Sequence, residues 1–275
     1  MPTFVFSGLK HAAFDGSEHP DALVHVPERL NPSRFGLVTY LHGWDNCIEN
    51  AAVAPPGIHE PPQPSADLIG QLERSGRSAI LFMPETRYHA RSSEPGRLGE
   101  AGGFERLWQE VHARLRQELP ALAATQPASV EHVVLLSHSG AYRAAGQIAR
   151  QGGMFIDEIC LLDSLYDDLD VYKEIAAEHV KHHATGQRRR RLVNLYRGGT
   201  EKLTLPLVEH LRALLAENQL PPETLFFNDT LEPIDTPLDE AALNHPLVIK
   251  RVATEHSDMG RTYVEALLQS SGLPD

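Results

Sequence analysis

The sequence predicts an α/β fold, a mostly parallel central sheet with helices on both faces. Three observations carry that reading. Short apolar runs bounded by turn residues alternate with stretches of helical period along most of the chain, which is the pattern of repeated strand–helix–strand units. The run Val133-Val134-Leu135-Leu136 is apolar at every position, as a parallel strand buried on both faces requires; a half-exposed strand would alternate. That run then passes through Ser137-His138-Ser139-Gly140-Ala141 straight into a small-residue helix, Ala141-Tyr142-Arg143-Ala144-Ala145-Gly146-Gln147-Ile148.

The elements follow in order. Residues 3–9 and 22–27 read as an opening pair of short strands, and 36–41 as a strong apolar strand. A long loop comes next, in which Pro55, Pro56, Pro61, Pro62 and Pro64 exclude regular structure. A helix starts near Ser65 with Leu68, Ile69 and Leu72 on one face and Gly76 as its stop. Residues 79–83 form a strand closed by Pro84, and Phe104, Leu107, Trp108, Val111, Leu115 and Leu119 have helical spacing up to Pro120. Beyond the 133–136 strand and its helix come strand 158–162, a mixed segment 164–191 and strand 192–196. Leu207, Val208, Leu211, Leu214 and Leu215 mark another amphipathic helix, 224–227 a short strand and 247–252 the last strand, followed by His256 and a closing helix through Leu268. With no internal repeat and no interdomain linker, residues 1–275 read as one domain, with 164–191 as a small helical cap.

Composition narrows the function classes. The net charge of −12 argues against nonspecific nucleic-acid binding, which needs a basic face. No apolar stretch is long enough to span a bilayer. The two cysteines, Cys47 and Cys160, do not make a disulfide framework; together with an N-terminus lacking a signal-peptide pattern they predict a reducing, cytoplasmic setting. No residue set calls for a cofactor.

The junction at Ser139 carries the chemistry. A strand that turns sharply at a serine between small residues and enters a helix has the layout of a nucleophile elbow, with the hydroxyl held above the sheet at the helix N-terminus. A serine hydroxyl is barely ionised at neutral pH, so attack requires a neighbouring base. His256, after the last strand, is the natural one among 15 histidines. A carboxylate must orient that histidine. Asp163 abuts strand 158–162 and is the first candidate; Glu201 and Asp229, which follow later strands, are the alternatives, and the competing role for Asp163 is that of a helix cap. An oxyanion site needs backbone donors, which Gly140 and Trp44 are placed to supply, the latter because Gly43 lets the chain turn sharply after its strand. His42, Gly43, His138 and Tyr166 are candidates for the substrate side.

These pieces together resemble an α/β-hydrolase. Tyr40-Leu41-His42-Gly43-Trp44, Ser137-His138-Ser139-Gly140-Ala141 and the late His256 carry the resemblance, and the strand–helix order extends it over nearly the whole chain. Ala22-Leu23-Val24-His25-Val26-Pro27 is similar to the openings of esterase and polyester-depolymerase branches. The chain departs from the pattern in spelling the elbow Ser-x-Ser-x-Ala, and in lacking an aspartate in the loop after strand 192–196. The resemblance implies a serine hydrolase acting on a small-molecule or polymer ester. The alternatives are an amidase or peptidase, an acyltransferase, or a noncatalytic binding module on the same fold. His179, His182 and His183 are read as a solvated helix face rather than a metal site, and the run Arg188–Arg191 as a solvated loop.

Overall fold

The computed structural model describes residues 2–275 apart from 17–18, 56, 59–63, 127–128, 187–189 and 235. Nine strands form one sheet in the order β1-β2-β4-β3-β5-β6-β7-β9-β8. They are β1 (Thr3–Phe6), β2 (Ala22–His25), β3 (Phe35–Leu41), β4 (Ala79–Pro84), β5 (Val130–His138), β6 (Glu158–Leu162), β7 (Arg191–Tyr196), β8 (Leu225–Asn228) and β9 (Leu247–Arg251). β1 pairs antiparallel with β2, and β2 with β4. All other pairings are parallel.

Successive side chains of a strand point to opposite faces, and here both faces are covered. On one, Val133 and Leu135 of β5 pack with helices α3 (Gly103–Glu118), α4 (Tyr142–Gln151), α5 (Leu169–Ala184) and α6 (Glu201–Glu217). On the other, Val134 and Leu136 pack with α1 (Ile48–Ala52), α2 (Leu68–Ser75), α7 (Glu240–Leu243) and α8 (Met259–Gln269). This is why the middles of β3 through β7 are mostly apolar, Thr39 and Asn194 being buried polar exceptions.

Four expectations are corrected. Segment 164–191 supplies α5, the crossover between β6 and β7, rather than a cap standing off the sheet: Tyr172, Ile175, Ala176 and Val180 are buried in the core, and the Tyr172 hydroxyl donates to Tyr142 O at 2.6 Å. His179 lies on that buried face, its Nδ1 donating to Ile175 O at 2.8 Å, so it is not solvated. The stretch after β3 contains α1, which precedes Pro55; Pro56, Pro61 and Pro62 lie outside the described residues. Arg191 is not in a solvated loop but opens β7 and is buried; Arg190 lies over the Phe155 ring, and Arg188 and Arg189 lie outside the described residues.

Arg191 is held by an ion pair. Its Nε sits 2.6 Å from Glu158 Oε2 on the neighbouring strand, and its other nitrogens donate to Leu243 O, Leu267 O and Ser270 O, tying α7 and α8 to the sheet. Glu158 also accepts from His132 Nε2 at 2.7 Å and from the Gly272 amide at 2.6 Å. Burial raises the Glu158 carboxyl, but Arg191 and His132 outweigh it, leaving the group below its usual 4.5. Its contribution to stability is therefore present above about pH 4.5 and lost as pH falls through the lowered value. Glu158→Ala strands Arg191 in the sheet, and the expected loss in urea unfolding is about 3–5 kcal/mol; a loss under about 1 kcal/mol would show that the pair is not structural.

The register brings the carboxyl ends of the parallel strands into line. Leu41 lies opposite Ser137, His138 opposite Leu162, and Leu162 opposite Leu195. The residues that follow β3, β5, β6, β7 and β9 therefore emerge along one edge of the sheet, where open α/β sheets hold their ligands. Among the described residues, no helix is long and apolar enough to cross a membrane.

Candidate active site

Ser139 is the first residue past β5 and has φ of +54°. That left-handed conformation costs a non-glycine residue about 1–2 kcal/mol and persists only where the surroundings fix it. Here they do. The Ser164 hydroxyl donates to Ser139 O at 2.8 Å, and the Ser137 hydroxyl, 2.7 Å from Ser164 Oγ, donates in turn to Ser164. Residues 139–141 form a single 3₁₀ turn that runs into α4. The crowding expected at the elbow is real but comes chiefly from the loop after β3. A Cβ placed on Gly43 would stand 2.6 Å from Ser139 Cβ, and one on Gly140 would stand 2.2 Å from the Trp44 indole.

His256 joins two groups. Its Nε2 is 2.7 Å from Ser139 Oγ and its Nδ1 is 2.7 Å from Asp163 Oδ2. With Nδ1–H donating to the carboxylate, Nε2 presents its lone pair to the serine hydroxyl. The Asp163 side chain is 3% exposed and that of His256 38%, so the acid is sequestered while the imidazole edge is open.

Asp163 directly follows β6 and has φ of +46°. Its amide donates to Leu195 O at 2.7 Å, pinning it to the neighbouring strand. Its second oxygen accepts from Thr200 Oγ1 at 2.6 Å and from the Arg197 amide at 3.1 Å. Burial raises the carboxyl, and the hydrogen bonds from His256 and Thr200 more than offset it, so the group is held below its usual 3.8. The Tyr166 hydroxyl, 3.4 Å from Asp163 Oδ2, covers the pair, with the phenol edge-on to the His256 ring at 6.1 Å. Burial and the Asp163 charge push the Tyr166 phenol up to about 12, which keeps it protonated.

The other candidates separate cleanly. Glu201 lies 3.4 Å from Arg251, and Asp229 accepts from Tyr196 and lies 3.6 Å from Arg251; His256 takes Asp163 instead. His138 is buried, and its Nε2–H donates to His256 O at 2.8 Å, so it braces the histidine loop. Burial, aided by the neighbouring His256, depresses it to about 4, which keeps it neutral. His42 is likewise buried, its nitrogens engaged by Gly43 O and Glu85, and Gly43 lies against Ser139. Trp44 is exposed, with Nε1 donating to Ser93 Oγ at 3.1 Å, and Tyr166 is exposed on the His256 side. Ser164, Thr200 and Glu85 were not legible as site residues, since serine, threonine and glutamate in turns carry no spacing signal. Among the described residues no group of three or more His, Cys, Asp or Glu is arranged to hold a metal ion.

No protein-family profile and no curated protein matches the sequence. Solved structures similar to the chain include a ferulic acid esterase, at 12% identity and a TM-score of 0.47 over 91% of this chain and 92% of that one. A siderophore hydrolase from Aspergillus nidulans is similar at 11% identity and a TM-score of 0.47, over 92% and 91%. An acylaminoacyl peptidase from Pyrococcus horikoshii is similar at 10% identity and a TM-score of 0.42, and 97% of this chain spans only 39% of that protein. The chain's own topology decides the fold: antiparallel β1 and β2 lead into a parallel sheet whose β3 and β4 are exchanged in order, and the central strand β5 turns into α4 through a left-handed serine. The protein has an α/β-hydrolase fold.

Proposed function

We propose that the protein is a serine hydrolase that cleaves a carboxylic ester. The observation that carries this reading is His256 bridging Ser139 Oγ and Asp163 Oδ2 at 2.7 Å each. Ser139 Oγ attacks the ester carbonyl while its proton passes to His256 Nε2, and Asp163 balances the imidazolium that forms. The carbonyl oxygen becomes an oxyanion facing the amides of Gly140 and Trp44. Collapse of the tetrahedral intermediate breaks the carbon–oxygen bond, and the imidazolium protonates the departing alcohol. Water then repeats the sequence on the acyl-enzyme, giving its proton to His256 and releasing the acid and free Ser139.

An ester is the leading substrate because an alcohol leaves more readily than an amine; an amide or peptide is the alternative on the same machinery, and transfer of the acyl group to an alcohol is the third. The reading requires no cofactor, treats residues 1–275 as one domain and takes a small-molecule or polymer ester as partner, the net charge of −12 weighing against nucleic acid. The free, buried Cys47 and Cys160 fit a reducing compartment such as the cytoplasm.

A fluorophosphonate probe tests the chemistry directly. The intact protein should be labelled at Ser139 and should hydrolyse short-chain p-nitrophenyl esters, with added alcohols diverting product only if it is an acyltransferase. Absence of labelling, or equal labelling after Ser139→Ala, would return the chain to the noncatalytic reading.

A further inference from the structure

We infer that His42 and Glu85 form a buried lock that sets the direction of the Trp44 amide, making both of them positioning residues for the oxyanion site. The inference rests on the reading of Ser139 as nucleophile. The His42 and Glu85 side chains are 2% and 6% exposed. His42 Nδ1 donates to Gly43 O at 2.7 Å, and His42 Nε2 donates to Glu85 Oε1. The second Glu85 oxygen accepts from the Ile48 amide at 3.1 Å, so one carboxylate grips the loop after β3 at both ends. Glu85 is itself anchored just past β4, its amide donating to Asp21 O at 2.9 Å, and Thr86 Oγ1 lies 3.3 Å from His42 Nε2.

The consequence follows from peptide geometry. In a planar trans peptide the carbonyl and the next N–H point in opposite directions. Fixing Gly43 O toward the buried imidazole therefore turns the Trp44 N–H away from it. That peptide belongs to the residue packed on the nucleophile, because a Cβ on Gly43 would stand 3.1 Å from Ser139 Oγ. A flipped Gly43–Trp44 peptide would present a carbonyl oxygen where the oxyanion forms, which is repulsive. The lock makes that flip costly.

The lock also requires charge. A neutral imidazole donates from one nitrogen only, whereas here both face acceptors, so the ring is held as an imidazolium. Burial works against this, but the Glu85 carboxylate outweighs it, and His42 is raised above its usual 6.5. The sign is that of a raised group: the lock is complete below about pH 6.5 and is lost as pH rises through the elevated value. Three groups around the pair have shifted values that keep them from changing charge in that window. His138 stays neutral with a value near 4, the Cys47 thiol beside Glu85 is pushed up to about 12, and Tyr88 is also raised.

Glu85→Gln in the full chain tests this with a short-chain p-nitrophenyl ester. The expected result is a kcat about 10- to 100-fold lower, the scale of a misdirected oxyanion donor, with KM within about twofold. Affinity for a phenylboronic acid, which becomes tetrahedral on the serine, should fall in parallel, and the alkaline limb of the kcat profile should move toward neutral pH. Glu85→Asp should show the same changes at smaller size, and it carries the test together with His42→Gln if Glu85→Gln fails to fold. Folded variants with wild-type kcat, boronate affinity and alkaline limb overturn the lock, as does a loss confined to KM. A wild-type protein with neither turnover nor fluorophosphonate labelling overturns the hydrolase reading instead, so the two failures are distinguishable.

Discussion

Ser139→Ala is expected to lower kcat for an ester by about 10⁴- to 10⁶-fold, the range reached when the nucleophile of such a triad is removed. The residue left behind has the same Cβ and the same left-handed backbone, φ +54°, so the turn keeps its shape. Its carbonyl still accepts from Ser164, and Gly43 still packs against its Cβ. What disappears is the bond to His256 Nε2 at 2.7 Å, and with it the oxygen that the proposed mechanism acylates. Stability should therefore change by no more than about 1 kcal/mol, the worth of one hydrogen bond, while turnover falls to the background that an oxyanion site and binding sustain alone. Single-turnover kinetics beside thermal unfolding separates the two effects. Turnover near the wild-type level in a folded Ser139→Ala protein would mean that another group reacts and that the serine merely occupies a strained turn.

How much of this was legible in the sequence depended on how local each signal is. The strands of the parallel sheet were legible because burial on both faces leaves few polar positions in them, as in Val133–Leu136, with Thr39 and Asn194 as buried exceptions. Helix α3 was legible because Phe104, Trp108, Val111 and Leu115 repeat at helical spacing. The start of α6 at Glu201 was obscured by Pro206, which lacks an N–H and argues against a helix; it stands in the second turn, where the carbonyl four residues back goes without that donor. Short helices α1 and α7 hold too few residues to show a period. The sequence also placed Ser139, His256 and Asp163 at strand ends, and the structure brings the three side chains together. The sequence offered His42 and His138 for the substrate side because they adjoin Gly43 and Ser139 in the chain, and the structure buries both side chains. Both are buried braces, and the partner that explains His42, Glu85, lies 43 residues away on another strand end. Partners at that separation are invisible to any local pattern.

Asp163→Asn is expected to reduce kcat by about 10⁴-fold with little change in KM. Asparagine keeps the shape of the site. Its carbonyl oxygen takes the place of Asp163 Oδ1 and accepts from Thr200 Oγ1 and the Arg197 amide, so its NH₂ is forced toward His256 Nδ1. A donor there obliges Nδ1 to accept, which puts the histidine proton on Nε2, where it points at Ser139 and can no longer take the hydroxyl proton. The imidazolium formed in the transition state also loses its buried counter-charge. Glu201→Gln and Asp229→Asn supply the contrast: their partners are Arg251 and Tyr196, so turnover should stay within about threefold of wild type, no larger than an exposed ion pair is worth. Acid pH gives an independent check on the same carboxyl. Because Asp163 is held below 3.8, the stabilisation it contributes is present above that value and lost only as pH falls through the lowered one. Wild-type protein should thus keep its Asp163–His256 bond through mildly acidic pH, readable as the low-field Nδ1 proton resonance, and Asp163→Asn should lack that resonance at every pH. Near-native turnover in Asp163→Asn, with the loss appearing in Glu201→Gln instead, would move the acid to the strand end after β7 and overturn the assignment.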